Sequence, residues 1–269
     1  MSNAIKYPMA IGLIGGSGLY EISGIEITKE VSVSTPYGEP SSVYKIGVIE
    51  DTEVVFLARH GIPHTIPPHN VNFRANIWGF KSLGVKRIIS ISATGGINKE
   101  MPPGSAVLLD QIIDMTMGAR KSTFYDEGKA VHVDFTNPYC PEMRDIAIKA
   151  SQGIGLDIKQ KGTYICVNGP RLETAQEIKF FSAIGADVVG MTAMPEAVLA
   201  RELEMCLLGL STVTNYAAGI LDKKLTTTEV VETMKKSIDM IKSLIKEIIR
   251  QLPDTRNCPC KDALKESEL

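Results

Sequence analysis

Three apolar runs in this chain end on the same kinds of group, and that repetition limits the fold more than any other feature. Ala10–Ile14 runs into Gly15-Gly-Ser-Gly18, Val54–Leu57 into Ala58-Arg-His-Gly61, and Arg87–Ser92 into Ala93-Thr-Gly-Gly96. Short β-rich runs bounded by glycine and small polar residues read as buried strands. Glycine lets the backbone turn tightly beside a ligand; hydroxyls, backbone N–H groups and an Arg-His pair are donors for an oxyanion. Open α/β sheets bind ligands beyond the carboxyl ends of their strands, so the three ends are expected to converge.

A fourth junction points the same way. Val188-Val189 reads as a strand end, Gly190-Met191-Thr192 sets one unbranched apolar side chain beside one hydroxyl, and Pro195-Glu196 opens a helix over 197–204. Proline and an acid both suit a helix's first turn, and a helix N-terminus attracts anions. Further strands are expected at 43–49, 106–109, 111–114, 162–168 and 205–213. Helices are expected at 70–84, at 141–151, from 173 to about 184 with Thr174 and Glu177 in capping-box spacing, and at 227–252, where apolar residues recur at i, i+3, i+4. The polar stretch 118–137 reads as a long surface excursion. Alternating strands and helices make this an α/β chain, with a mixed central β-sheet flanked by helices. One domain is expected over 1–269, its core about 10–252 and its tail, 253–269, frayed and peripheral.

Composition narrows the partners. Of 269 residues 44% are hydrophobic and 22% charged, the net charge is −2, and no basic block occurs, so nucleic acid is not an expected partner. No run approaches a membrane span and no leader is evident, so a cytoplasmic location is expected. Of the five cysteines only Cys258-Pro-Cys260 is closely spaced, and no Cys or His stands near it to complete a zinc site. Free thiols or a labile redox pair are expected there, and no metal. The glycine spacing after the first strand is wrong for a dinucleotide fingerprint, which disfavours a nicotinamide oxidoreductase.

Taken in order, Gly15-Gly-Ser-Gly-Leu19, Leu57-Ala-Arg-His-Gly61, Asn72-Phe-Arg-Ala-Asn-Ile-Trp78, Gly169-Pro-Arg171 and Asp187-Val-Val-Gly-Met-Thr-Ala-Met-Pro-Glu196 are specific as a set. On them, from Ile11 to about Leu252, the chain resembles the trimeric purine nucleoside phosphorylase and 5′-methylthioadenosine phosphorylase family. The resemblance implies a single-domain nucleoside phosphorylase fold, a homotrimer or dimer of trimers, and neither metal nor organic cofactor. It implies a pentosyltransferase that uses inorganic phosphate as nucleophile at C1′ of a purine nucleoside. Phosphate would be held by Ser17, Arg59, His60, Ser92, the backbone of Ala93, and Thr192. Met191 would lie against the ribose, and His132 would reach a neighbouring subunit's site. Arg59, Thr192 and Asn215 are the candidates for catalysis, which would rest on orientation and electrostatics around an oxocarbenium-like transition state.

The base pocket departs from the methylthioadenosine branch. Where that branch carries Thr-Asp-Tyr-Asp, this chain has Thr214-Asn-Tyr-Ala217; where it carries Ser after Gly-Pro-Arg-Phe, this chain has Leu172-Glu173. Asn215 can donate to a 6-oxo group or accept from a protonated N7, whereas Asp in that place suits a 6-amino group. Glu173 can accept from N1–H, which adenine lacks. Tyr216 and Ala217 complete this edge. At the 5′ end of the nucleoside no His occurs in Leu225–Glu229, and Thr228 offers either a hydroxyl or a methyl. Inosine and guanosine are the first expectation, with 5′-methylthioinosine or 5′-methylthioadenosine as the alternative. A non-catalytic nucleotide-binding module is the distant alternative from a different class.

Overall fold

The long strands β5 (Arg87–Gly96) and β10 (Cys206–Tyr216) run parallel along their full lengths and form the spine of the molecule. Both are buried over their first halves, where Ile88, Ile89 and Ile91 of the one and Leu207, Leu208 and Leu210 of the other lie in the core, as suits strands covered on two faces. This computed structural model describes residues 10–16, 26–221 and 227–267, with side chains described throughout them except at 227–231 and 234–236.

Around the spine stand β1 (Ile11–Gly15), β2 (Glu26–Val31), β3 (Tyr44–Ile49), β4 (Thr52–Ala58), β6 (Ala106–Leu108), β7 (Gln111–Met115), β8 (Thr163–Val167) and β9 (Val188–Gly190). They make a mixed ten-stranded sheet in the order β2-β3-β4-β1-β5-β9-β8-β7, with β10 on the other edge of β5 and β6 beyond it. One face is covered by α1 (Phe73–Ser82) and α4 (Ala193–Glu202), through Phe73, Ile77, Phe80, Leu199 and Leu203. The other is covered by α2 (Pro141–Gly153) and α5 (Thr227–Gln251), through Met143, Ala147, Ile241, Leu244 and Ile248. α3 (Ala175–Ala183) packs Ile178 and Phe181 against Ile165 and Val189. Its start follows the expected capping box: Thr174 accepts from the Glu177 N–H while the Glu177 carboxylate accepts from the Thr174 N–H. Among the described residues no helix is long and apolar enough to cross a membrane.

Three local expectations are corrected. β10 does not stop at Val213 but continues to Tyr216 past an irregularity in its register between Val213 and Asn215. α4 begins at Ala193 rather than after Glu196, with an extended residue, Met194, ahead of the regular helix. The tail is not frayed. Arg87 Nη2 donates to Thr255 O (2.9 Å), Arg256 Nη1 to Glu204 O (2.6 Å), and Cys258 and Cys260 are 3% and 1% exposed. Nor does Cys258-Pro-Cys260 stand alone: its sulfurs lie within 4.8 Å of those of Cys140 and Cys206, which the fold brings from α2 and β10.

The excursion 118–137 contains neither helix nor regular strand, as expected, but it is pinned to the body. Phe124 N–H donates to Glu202 Oε2 (2.7 Å), and Arg74 pairs with Asp126 (2.7 Å).

Candidate active site

The cleft exists because β5 changes partners. Along one edge β1 pairs with Arg87–Ser90, and β9 takes over, antiparallel, only at Gly95 and Gly96. Between them the edge from Ile91 to Thr94 faces no described strand, and the cavity opens there with Ser92, Ala93 and Thr94 on its floor. The flanking strand ends close around it. Gly16 follows β1, Arg59 and His60 follow β4, Met191 and Thr192 follow β9, Asn215 and Ala217 end β10, and Leu172-Glu173 lead into α3.

Of the residues expected to bind ligand, ten therefore line one cavity: Arg59, His60, Ser92, Ala93, Leu172, Glu173, Met191, Thr192, Asn215 and Ala217. Tyr216 alternates away, and its hydroxyl donates to Lys99 O (3.4 Å). His132 lies elsewhere: its backbone N–H donates to Ser267 O (2.8 Å), and its surface cleft is shared with Arg201 and the C-terminal segment. Ser17 lies outside the described residues, as does the side chain of Thr228.

At the anion end Arg59 is 1% exposed and its partner Glu196 0%. Nε donates to Glu196 Oε1 (2.5 Å) and Nη2 to Oε2 (3.1 Å); Nη2 also donates to Ser90 Oγ (2.9 Å), which in turn donates to Oε2 (2.7 Å). Nη1 donates to Ile91 O (2.9 Å), a carbonyl on the unpaired edge of β5. Four of the five guanidinium N–H bonds are thus engaged among the described residues, leaving one on Nη1 beside Gly16. In sequence Glu196 reads as a first-turn acid serving the helix. It is instead the buried counter-ion that fixes the guanidinium plane, and only its burial distinguishes the two roles.

His60 follows Arg59 and is neutral. Burial first, then the Arg59 charge, pull its pKa down from 6.5 to about 4. Its Nδ1 lies 2.8 Å from Ile66 O, and a carbonyl only accepts, so Nδ1 carries the proton and Nε2 the lone pair. Thr192 stands at the N-terminus of α4 without capping it by its side chain, and its N–H donates to the buried Tyr164 hydroxyl (3.1 Å).

The opposite end is shaped by the irregularity in β10. Val213 pairs with Thr94 and Asn215 with Gly95, so Thr214 is an extra residue on the β10 side. Such a bulge re-aims the side chains beyond it. The Asn215 amide is oriented by two bonds: Oδ1 accepts from Thr214 Oγ1 (2.8 Å) and Nδ2 donates to Tyr216 O (2.9 Å). One N–H and one lone pair remain. A Cβ on Gly95 would lie 3.2 Å from Val189 Cγ1 and in ordinary contact, 3.4 Å, with Nδ2. Glu173 is half-buried beside it, and burial raises its carboxyl above the usual range, with Glu177 pushing the same way. Arg171, held bidentately by Glu177 (2.6 and 2.8 Å), offsets this only in part.

Met191 lies between the two ends and is placed by residues that sequence reasoning missed. Gly169 has φ +67, and a Cβ there would lie 2.4 Å from the Met191 sulfur. Arg120 reaches in from the 118–137 excursion, donating from Nη1 to Met191 O (2.8 Å) and Met194 O (2.6 Å) and from Nη2 to Asn168 O (2.9 Å). No local sequence signal marks an arginine that caps carbonyls from a loop.

Comparison with known proteins decides the family. The model of the phosphorylase superfamily matches residues 10–250. The chain belongs to that superfamily. It is 55% identical, over 97% of its length and 98% of the relative's, to a probable S-methyl-5′-thioinosine phosphorylase of Thermodesulfovibrio yellowstonii. It is 54% identical, over 95% and 97% of the two chains, to the 6-oxopurine nucleoside phosphorylase of Pyrococcus furiosus. Among solved structures, a methylthioadenosine phosphorylase of Schistosoma mansoni bound to adenine superposes with TM-score 0.91 at 29% identity, over 97% of this chain and 99% of that one. This phosphorylase is accordingly a pentosyltransferase of the purine nucleoside type, acting on nucleoside and phosphate.

Two outcomes are expected. Arg59→Ala leaves Glu196 buried and uncompensated, which costs about 3–5 kcal/mol in urea unfolding. Below its melting range the same variant should raise the KM for phosphate by about tenfold or more and that for nucleoside far less; equal rises would remove Arg59 from the anion end. For His60, the unfolded chain binds the additional proton between pH 6.5 and about 4, the folded one does not. Its contribution is complete above pH 6.5 and falls by about 3 kcal/mol as the pH drops toward 4. His60→Asn should remove that share of the acid destabilisation, measured by urea unfolding near neutral pH and near pH about 4.5.

Proposed function

We propose that this phosphorylase cleaves 6-oxopurine nucleosides, inosine and guanosine, with inorganic phosphate, releasing the free base and ribose 1-phosphate for purine salvage. The observation that carries the reading is the pairing of an oriented Asn215 amide with the half-buried Glu173 carboxylate on one wall. The remaining Asn215 N–H donates to O6, or its oxygen accepts from N7–H. Glu173 accepts from N1–H and, in guanine, from the 2-amino group. Adenine has no N1–H, so a carboxylate desolvated there would face a lone pair.

At the other end Arg59 Nη1, Thr192, Ser92 and the Ala93 backbone surround phosphate, joined by Ser17 from the glycine turn. The neutral His60 Nε2 accepts from the P–OH of hydrogen phosphate and so selects its rotation. Phosphate oxygen then attacks C1′ as the C1′–N9 bond breaks; the bonding pair leaves with the base, and the proton that hydrogen phosphate gives up passes through solvent to the base, leaving ribose 1-phosphate as a dianion. Met191 lies under the ribose and Thr192 beside the incoming oxygen. No side chain serves as a base to phosphate, and the acceleration comes from alignment and fixed dipoles. Inorganic phosphate is a co-substrate, and no step calls on an organic cofactor.

A second reading, 5′-methylthioinosine as the preferred nucleoside, keeps the same base contacts. It is supported by the Thermodesulfovibrio relative and by Thr228 standing where a hydroxyl-binding histidine is missing. We further propose a homotrimer, in which His132, remote from its own chain's cleft, serves the neighbour's.

Phosphate-dependent turnover of inosine, guanosine, adenosine, 5′-methylthioinosine and 5′-methylthioadenosine, measured side by side, tests the base and the 5′ end separately. Both 6-oxo substrates should lead their 6-amino counterparts; a lead for 5′-methylthioadenosine would overturn the roles given to Asn215 and Glu173. Asn215→Asp should lower kcat/KM for inosine roughly 10- to 100-fold and raise the relative use of adenosine. Light scattering should give about three times the chain mass of 29.3 kDa, and a monomer would refute the trimer.

A further inference from the structure

All five cysteines are free thiols and buried, and four of them meet far from the cleft. Cys140 stands at the N-terminus of α2 without a side-chain capping bond, Cys206 opens β10, and Cys258 and Cys260 flank the first residue of a 3-10 turn, Pro259–Asp262. The four are between 0% and 3% exposed. Every sulfur lies within 4.8 Å of the other three, with Cys206 and Cys258 3.3 Å apart. Four thiolates around zinc at about 2.3 Å form a tetrahedron with edges of about 3.8 Å, a length that lies between the 3.3 Å of Cys206–Cys258 and the 4.8 Å within which all four sulfurs fall. With all four sulfurs gathered in one group, a single cation satisfies all of them at once.

The surroundings suit a charged centre. Zinc with four thiolates carries a net charge of −2, and Arg256 stands against it, with Nη1 3.9 Å from Cys206 Sγ while donating to Glu204 O. The N-terminus of α2 directs its dipole at Cys140, and the Cys260 backbone bonds the Cys258 sulfur. Soft sulfur donors exclude magnesium and calcium, and four protein ligands with no open position define a structural zinc site rather than a hydrolytic one.

We propose that Cys140, Cys206, Cys258 and Cys260 bind one structural zinc ion per chain. Binding releases four thiol protons as four Zn–S bonds form, with no change of oxidation state. The ion fastens the C-terminal segment to the start of β10, whose far end carries Asn215 about 30 Å away. It therefore governs stability and leaves the chemistry alone. The inference does not rest on the substrate assigned above.

The test uses the full-length chain without an affinity tag, produced with zinc in the medium, purified under reductant and dialysed against metal-free buffer. Elemental analysis should find about one zinc per chain, and after denaturation with chelator all five thiols should react with Ellman's reagent. Cobalt exchanged for zinc should give the intense visible absorption of a tetrahedral cobalt thiolate. The double variant C258S/C260S should lose the zinc and melt at lower temperature with an unchanged nucleoside KM, while C166S, altered outside the cluster, should keep its zinc. Absence of zinc with five reactive thiols would overturn the proposal. Absence of zinc with one reactive thiol would overturn it in favour of two disulfides. Should the double variant not fold, the zinc content and cobalt spectrum of the unaltered chain decide alone.

Discussion

The buried pair of Arg59 and Glu196 is the contact on which the anion end depends. An isolated guanidinium at this depth would be prohibitively desolvated, and the carboxylate alone equally so. Together, with Ser90 bridging them, they lock three pieces of chain: the end of β4, the middle of β5 and the first turn of α4. Because their charges cancel, the pair brings no excess positive charge to the cleft. What it offers a ligand is directed N–H and O–H groups, whose worth falls steeply when a ligand oxygen moves out of line. An anion site of that kind distinguishes a well-placed phosphate from one that is only near.

The second constraint is the change of partners along β5. A sheet with β1 continued alongside Ile91–Thr94 would have its polar backbone satisfied and no room for a ligand. Ending β1 at Gly15 and starting β9 only opposite Gly95 leaves a gap about four residues long in the middle of a sheet that β10 keeps intact from the other side. The site is open and yet rigid, because its floor is one uninterrupted strand pair. The extra residue in β10 then turns Asn215 over that floor.

Much of this was legible in the sequence. The strand ends that carry glycine, hydroxyls and Arg59-His60 do converge, the stripe on α5 is buried where Ile241, Leu244 and Ile248 predict it, and Thr174 with Glu177 caps α3 as spelled. These features depend on local period and local chemistry. What was not legible depends on distance through space. Glu196 has the sequence context of a helix dipole acid, and only its 137-residue reach to Arg59 reveals otherwise. Arg120 stands in a polar loop that gives no hint of the carbonyls it meets. Cys140 and Cys206 carry no spacing that links them to Cys258, and a β-bulge leaves no mark on composition.

Arg120 has a consequence for how this enzyme can change. Loops normally absorb insertions and deletions because little depends on their length. This one carries an anchor at Arg120, a second at Phe124 and a third at Asp126, within seven residues, and the first of them holds the backbone of Met191 in the wall of the cleft. Lengthening or shortening the chain ahead of Arg120 would reposition the methionine without touching any residue of the cleft. The surface segment is therefore a tuning element for the Met191 wall of the cleft, and divergence in substrate length among related enzymes can be sought in its length as well as in the pocket itself.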